Sequence, residues 1–325
     1  MITLIDANNL LHRVHYAAGL SKLNVNFEDH DKEAEMSGVI YGFLRVLGAI
    51  FRKRLPNEYF VLVWDDRAKR KKELYPEYKA GRIIADDSLY RQKDCFKEAL
   101  NMLDIQHIQI EGEEADDVIA TLAIKARTAG HKVVIYSQDH DFEQMISDHI
   151  TVRFESGTLK FVKDVKWVQD KYNIHPSLLG EVMQLTGDPS DNVPGVPKVG
   201  PVTAINLIKA NGSLRVIFRD IPNAKTYDRK GNLVQISASL AAKLEQFQNQ
   251  VFLNKELVVL NTKVNVGEFE FTTELHSKWN RFYLFCKKYN LKSILGETQE
   301  LPDGTVLEYS NDFKKYQRLI SYQTL

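Results

Sequence analysis

The feature that most constrains this chain is a set of three short apolar runs, at residues 2–5, 59–64 and 132–136, each ending at or near an aspartate. They are rich in Ile, Val, Leu and aromatic residues and have the length of buried strands. Between them the apolar spacing changes to that of a helix, most clearly at Val118, Ile119, Leu122, Ala123 and Ala126. That segment closes at Gly130, where a helix C-cap glycine belongs. Strands alternating with helices predict an α/β fold whose central, mainly parallel sheet is flanked by helices. Ligands of such sheets gather beyond the carboxyl ends of the strands, where Asp6, Asp65 and Asp139 are expected to lie.

Composition permits this reading and excludes others. A length of 325 residues allows one large domain or a core with a smaller companion. With 44% hydrophobic and 26% charged residues the chain is an ordinary globular mixture, without a membrane-spanning run. The first residues lack the basic region and cleavage site of a signal sequence, so a cytoplasmic protein with no membrane partner is expected. Cys95 and Cys286 have no CxxC spacing, which argues against a zinc thiolate site or a disulfide framework. Basic and acidic residues both number 43, so net charge is silent about nucleic acid. Distribution says more: Arg67 to Arg82 holds seven Lys or Arg against Glu73 and Glu77, whereas Glu111 to Asp117 holds five acids and no base.

Residues 66–105 are highly charged, with Pro76 and Gly81 as breakers, and predict a solvent-rich helical excursion rather than core. Residues 20–36 read as a polar loop insertion. Beyond residue 165 helical segments such as 177–186 and 201–210 take over, and 226–236 suggests a small hairpin around Gly231-Asn232. The last thirty residues carry no clear signal. The organisation expected is therefore an α/β core over 1–165, a helical region over 166–295, and a tail over 296–325.

Acids recur in clusters: Asp6, Asp65-Asp66, Glu114-Ala115-Asp116-Asp117, Asp139-His140-Asp141 and Gly187-Asp188-Pro189-Ser190-Asp191-Asn192. Acids two apart on an extended strand end point the same way, and acids three apart share a helical face. Two carboxylates about 4 Å apart repel by roughly 4 kcal/mol at an effective dielectric near 20, so a convergence of many calls for cations. Hard oxygen donors favour Mg²⁺ or Mn²⁺ over zinc. Two such ions can activate water and stabilise a leaving oxygen in phosphodiester hydrolysis. Taken singly, each cluster also has a bland reading: Glu114, Asp116 and Asp117 as acids at a helix start, the strand-end aspartates as turn formers.

Gly195-Val196-Pro197-Lys198-Val199-Gly200, between two expected helices and followed by Pro201, has the form of a helix-hairpin-helix within about 178–210. Free amides at the second helix start suit a DNA phosphate without reading bases. The glycine spacing is that of a P-loop, but no Lys-Ser or Lys-Thr follows, which argues against a nucleoside triphosphate. A plain turn between helices is the alternative.

These motifs together resemble the flap endonuclease and 5′-exonuclease family, which includes phage enzymes and the amino-terminal nuclease of bacterial DNA polymerase I. The resemblance runs over about 1–295 and rests on Ile5-Asp6-Ala7-Asn8-Asn9-Leu10 with Arg13, Tyr41-Gly42-Phe43, Trp64-Asp65, Tyr78-Lys79-Ala80-Gly81-Arg82, and the acidic clusters and hairpin already quoted. It implies a PIN-like nuclease core, with Asp6, Asp65, Glu114, Asp116 and Asp117 on one metal and Asp139, Asp141, Asp188 and Asp191 on a second. Asp66 could substitute for Asp65. By the same implication Lys79 and Arg82 stabilise the scissile phosphate on a helical arch over about 67–105 that gates a 5′ single strand. Arg13, Tyr78 and the hairpin residues Gly195, Val196, Lys198, Val199 and Gly200 would contact DNA, with K⁺ bound at the hairpin. Expected substrates are 5′-flap, nicked or branched DNA and RNA primers in RNA–DNA hybrids, cut by a stand-alone, phage-like monomer that works with replication proteins. Two other classes stay open: a catalytically silent DNA-binding protein, and a phosphatase using Asp139-x-Asp141 as nucleophile.

Overall fold

The computed structural model describes residues 1–17, 29–51, 58–81, 87–156, 159–271, 279–288, 297–300 and 306–309. In chain order the elements are β1 (Ile2–Asp6), α1 (Ala7–Ala17), α2 (Asp29–Phe51), β2 (Tyr59–Trp64), α3 (Lys69–Leu74), α4 (Asp87–Met102), β3 (His107–Gln109), α5 (Ala115–Thr128) and β4 (Val133–Tyr136). Then come β5 (Ile150–Ser156), β6 (Leu159–Lys163), α6 (Val165–Tyr172), α7 (Leu179–Thr186), β7 (Gly187–Asp188), β8 (Val193–Pro194), α8 (Pro201–Asn211) and α9 (Leu214–Arg219). The hairpin β9 (Lys225–Tyr227) and β10 (Leu233–Gln235) precedes α10 (Ala238–Gln246), α11 (Gln248–Val258) and α12 (Trp279–Lys288). These elements divide between two compact units: Met1–Trp64, Ile84–Ile108 and Glu268–Leu325 form the first, Asp65–Ile83 and Gln109–Gly267 the second.

In the first unit the strand order is β3-β2-β1, and β1 runs parallel to β2 with Ile2 opposite Tyr59 and Asp6 opposite Val63. Every residue of β1 is buried, the mark of a parallel strand covered on both faces. The charged stretch expected to be solvent-rich is less so: Phe96, Ala99 and Leu100 of α4 and Leu103 just beyond it are fully buried, and Phe96 stacks on Phe43 with ring centroids 4.1 Å apart. A high charge count on the outer face had hidden one apolar stripe. Helix α2 starts at Asp29, so the second half of the expected 20–36 loop is helical; residues 20–28 lie outside the described residues. Cys95 and Cys286 are free thiols, and burial pushes that of Cys286 up to about 12.

The second unit has strand order β4-β5-β6, with β4 parallel to β5 and β6 antiparallel. Helix α5 buries Val118, Ile119, Leu122, Ala123 and Ala126, and Gly130 just beyond it takes a φ of +84°. Strands β3, β5 and β6 had no sequence signal strong enough to find them, because β5 and β6 mix Thr, Arg, Glu and Lys with apolar residues. The hairpin around Gly231 is present, with Leu233 paired to Tyr227. Of the tail, Glu297–Glu300 and Val306–Tyr309 pair antiparallel. No helix among the described residues is long and apolar enough to cross a membrane.

Candidate active site

The site grows from the turn that follows β2 and the helix α5 that follows β3. Asp65 Oδ1 accepts a hydrogen bond from Ala115 N at 2.6 Å, at the first turn of α5. Asp66 spends both oxygens on the preceding loop, accepting from Gln109 Nε2 at 2.9 Å and Gly112 N at 2.7 Å. That makes Asp66 a tether of the loop.

Glu114 lies at the N-cap of α5 and is 5% exposed. Its Oε2 accepts from Lys71 Nζ at 2.6 Å and from the Tyr78 hydroxyl at 3.0 Å, and its Oε1 pairs with Lys79. Lys71, itself buried, also reaches Asp117 at 3.1 Å. The Tyr78 hydroxyl is placed 2.9 Å from Asp191 Oδ2, and Lys79 Nζ is 3.4 Å from the same atom. Burial pushes the Glu114 carboxyl up, but Lys71 and Lys79 outweigh it and hold it at about 2. For Lys71 burial disfavours the charge, yet Glu114 and Asp117 win and keep its ammonium form above the ordinary lysine range. Tyr78, expected among the DNA contacts, is instead 2% exposed, and burial followed by Glu114 and Asp191 raises its hydroxyl.

The backbone supports this node. Lys79 N donates to Asp191 O at 2.9 Å, and Asn192 Nδ2 donates to Glu77 O at 2.8 Å, stitching the 75–79 turn to the loop after α7. Lys79 and Lys198 have φ of +58° and +68°; the other described non-glycine residues with positive φ are Asp104, Asn173 and Asn192, types that adopt the left-handed region more readily. Two lysines held there are strained positions of the kind that cluster at functional sites.

A second acidic group follows β4. Asp139 Oδ1 accepts from Asp141 N at 2.8 Å, and Asp139 N donates to the buried Ser137 Oγ at 3.1 Å. Asp188 Oδ1 accepts from Ser190 N and Oγ at 2.8 and 2.7 Å, capping the short turn that carries Asp191. Desolvation, then Asp139, Asp188 and Asp191, raise the Asp141 carboxyl to about 8, with Lys71 opposing more weakly. Just beyond, Glu143 is 2% exposed and accepts from Lys163 Nζ at 2.7 Å, Tyr172 Oη at 2.6 Å and faces His140 Nδ1 at 2.7 Å. This anchors the Asp139–Asp141 turn to β6 and α6. Among the described residues no three carboxylate, imidazole or thiolate groups converge on one ligating point. The donor set is nonetheless hard oxygen with surplus negative charge, which fits a divalent cation such as Mg²⁺ or Mn²⁺.

The hairpin lies between α7 and α8. A Cβ on Gly195 would stand 2.1 Å from Thr186 O, so only glycine allows the hairpin to fold back on α7. Val196 N donates to Leu185 O at 2.8 Å, and the buried Asn254 donates to both Gln184 O and Pro194 O at 2.9 Å. Val196 and Val199 are buried, Lys198 is exposed, and Gly200 caps α8 with Pro201 at its first position. Gly195 thus packs closely on the preceding helix, whereas around Gly200 there is open space.

Asp6 and Arg13 lie in the first unit, where Asp6 is 5% exposed and accepts from Asn9 N at 2.9 Å. Arg82 lies outside the described residues. Lys71, Glu143, Lys163 and Asn254 were not singled out from sequence. Lys71 had a signal in the basic run facing an acidic one, without a way to choose among its lysines.

An α/β sheet with acids past its strand ends, joined to a helical region carrying a helix-hairpin-helix, defines a class of nucleic-acid hydrolases, and comparison with known proteins narrows it. Residues 1–173 match the 5′-3′ exonuclease N-terminal resolvase-like domain and 174–278 the 5′-3′ exonuclease C-terminal SAM fold. The chain therefore belongs to the 5′-3′ exonuclease family and is a nuclease of that type. It is 40% identical over 233 residues to the 5′-3′ exonuclease of Aquifex aeolicus, covering 69% of this chain and 77% of that protein. It is 32% identical over 268 residues to DNA polymerase I of Pseudomonas aeruginosa, covering 82% of this chain and 28% of the polymerase. In fold it is similar to the bacteriophage T5 flap endonuclease, seen as a pseudo-enzyme–product complex with DNA and metal ions: TM-score 0.59, 17% identity, 89% of this chain and 99% of that one.

Proposed function

We propose that this chain hydrolyses phosphodiester bonds of 5′-flap, nicked, branched or 5′-ended DNA, and of RNA primers in RNA–DNA hybrids, with two divalent cations, Mg²⁺ or Mn²⁺. The observation that carries the reading is the gathering of Asp139, Asp141, Asp188 and Asp191 without a basic partner on Asp139, Asp141 or Asp188 among the described residues, where burial first and then the neighbouring carboxylates raise the Asp141 carboxyl to about 8. In this reading Asp139, Asp141, Asp188 and Asp191 hold one ion, and Asp65, Glu114, Asp116 and Asp117 the other. The bound ions supply an activated water and stabilise the leaving oxygen.

The chain's own groups do the remaining work. Lys79 and Arg82 steady the scissile phosphate by charge, Lys79 with its ammonium beside Glu114 and Asp191. Tyr78 holds Glu114 and Asp191 in register. The hairpin grips duplex DNA through Lys198 and backbone amides, aided by K⁺. The enzyme acts as a monomer in DNA replication or repair.

Purified protein incubated with 5′-labelled flap, nicked and hybrid substrates in Mg²⁺ is expected to release 5′ products whose sizes rank the substrates. Stable flap binding with no product at any Mg²⁺ or Mn²⁺ concentration contradicts the proposal and favours a silent DNA-binding protein.

A further inference from the structure

Outside the carboxylate site, the second unit carries a groove of about 390 Å³ between α7, α9 and α11. Leu214, Phe218 and Phe252 form its apolar lining; the two rings lie with centroids 5.3 Å apart and tilted by 48°, and Phe252 is 46% exposed. Arg215, Arg219 and Lys255 line it too, all three exposed and none in an ion pair among the described residues. Glu181, the acid in its wall, is already engaged, accepting from Leu214 N at 2.6 Å.

An apolar concavity with positive charge around it is complementary to an apolar side chain between carboxylates. We propose that this groove docks an acidic peptide segment of a partner protein, with one aromatic or large aliphatic side chain against Phe218 and Phe252 and flanking carboxylates on Arg215, Arg219 and Lys255. The volume lies at the small end of ligand pockets, which run from about 300 to 1,000 Å³, and suits one or two side chains. Nucleic acid fits less well. A duplex backbone has no apolar group to fill the groove. The inference does not depend on the nuclease reading, since docking and cleavage are measured separately.

The test is fluorescence anisotropy of the full chain with a labelled synthetic peptide holding one phenylalanine between four aspartates. Control peptides replace the phenylalanine by serine or the aspartates by lysine. Binding is expected for the first peptide only, weakening about tenfold with Phe252→Ser and at least as much with Arg215→Glu and Arg219→Glu combined, while both variants keep the parent unfolding midpoint and DNA cleavage. No binding of the acidic peptide, or equal binding of the lysine peptide, overturns the proposal. So does displacement of the peptide by an oligothymidylate whose own affinity falls equally in the double arginine variant, which would make the groove a nucleic-acid surface.

Discussion

Two acidic groups in the same unit meet their charge in opposite ways. Around Glu114, Asp117 and Asp191 the neutralising charge is internal: Lys71 and Lys79 sit on the carboxylates, the Tyr78 hydroxyl bridges two of them, and Glu114 stays ionised down to about pH 2. Around Asp139, Asp141 and Asp188 no basic side chain forms an ion pair among the described residues, and Asp141 takes up a proton instead. A lysine packed under a helix start can do a cation's electrostatic work for the fold. Where the chain supplies none, the cation has to come from solution or the acid has to neutralise.

The contrast can be broken most sharply by removing an acid from the uncompensated group. Asp141→Asn is expected to lower single-turnover cleavage about a thousandfold, on the scale of losing one preorganised charge-stabilising group, while flap affinity stays within about tenfold. Parallel loss of binding and cleavage would make Asp141 a structural acid.

Next in size is the compensated side. Lys71→Met leaves Glu114 and Asp117 buried without a main partner and is expected to cost about 3–5 kcal/mol in urea unfolding. A cost near zero would mean these acids do not need their internal cation. Tyr78→Phe, which removes a buried hydroxyl shared by two carboxylates, is expected to cost about 1–3 kcal/mol by the same measurement.

The smallest effect is a difference in sign with pH, measured as unfolding midpoints without divalent ions. Asp141 rises from 3.8 to about 8 on folding, so the folded state holds more protons and this group's contribution to stability falls as pH climbs through that window. Glu114 drops from 4.5 to about 2, so its contribution grows with pH across that lower window and is complete above it. Asp141→Asn should flatten the upper slope and leave the lower one; two slopes of the same sign would contradict the distinction.

Much of this was legible in the sequence where the signal is local. The runs that became β1, β2 and β4, the apolar face of α5, the hairpin around Gly231 and the acidic clusters each declare themselves within a few residues. What stayed hidden depends on partners far along the chain. Lys71 meets Glu114 across 43 positions, Tyr78 meets Asp191 across 113, and Asn254 meets Gln184 across 70, and nothing in the local pattern separates Lys71 from Lys69 or Lys72. Tyr78 was expected to contact DNA from the family resemblance, whereas the fold leaves it 2% exposed. The charged coating of α4 concealed Phe96 and Leu100 for the converse reason: composition averages over faces that packing keeps apart. The acids themselves were found as residues; that one group of them is compensated and the other is not could only come from the fold.

Isothermal titration of Mg²⁺ into the protein at pH 7, repeated in buffers of different ionisation enthalpy, tests the central claim most directly. With Asp141 protonated beforehand, saturable binding is expected to release about one proton, and Asp141→Asn to abolish that release. A binding enthalpy that does not change with the buffer, or no saturable binding at all, would contradict the account.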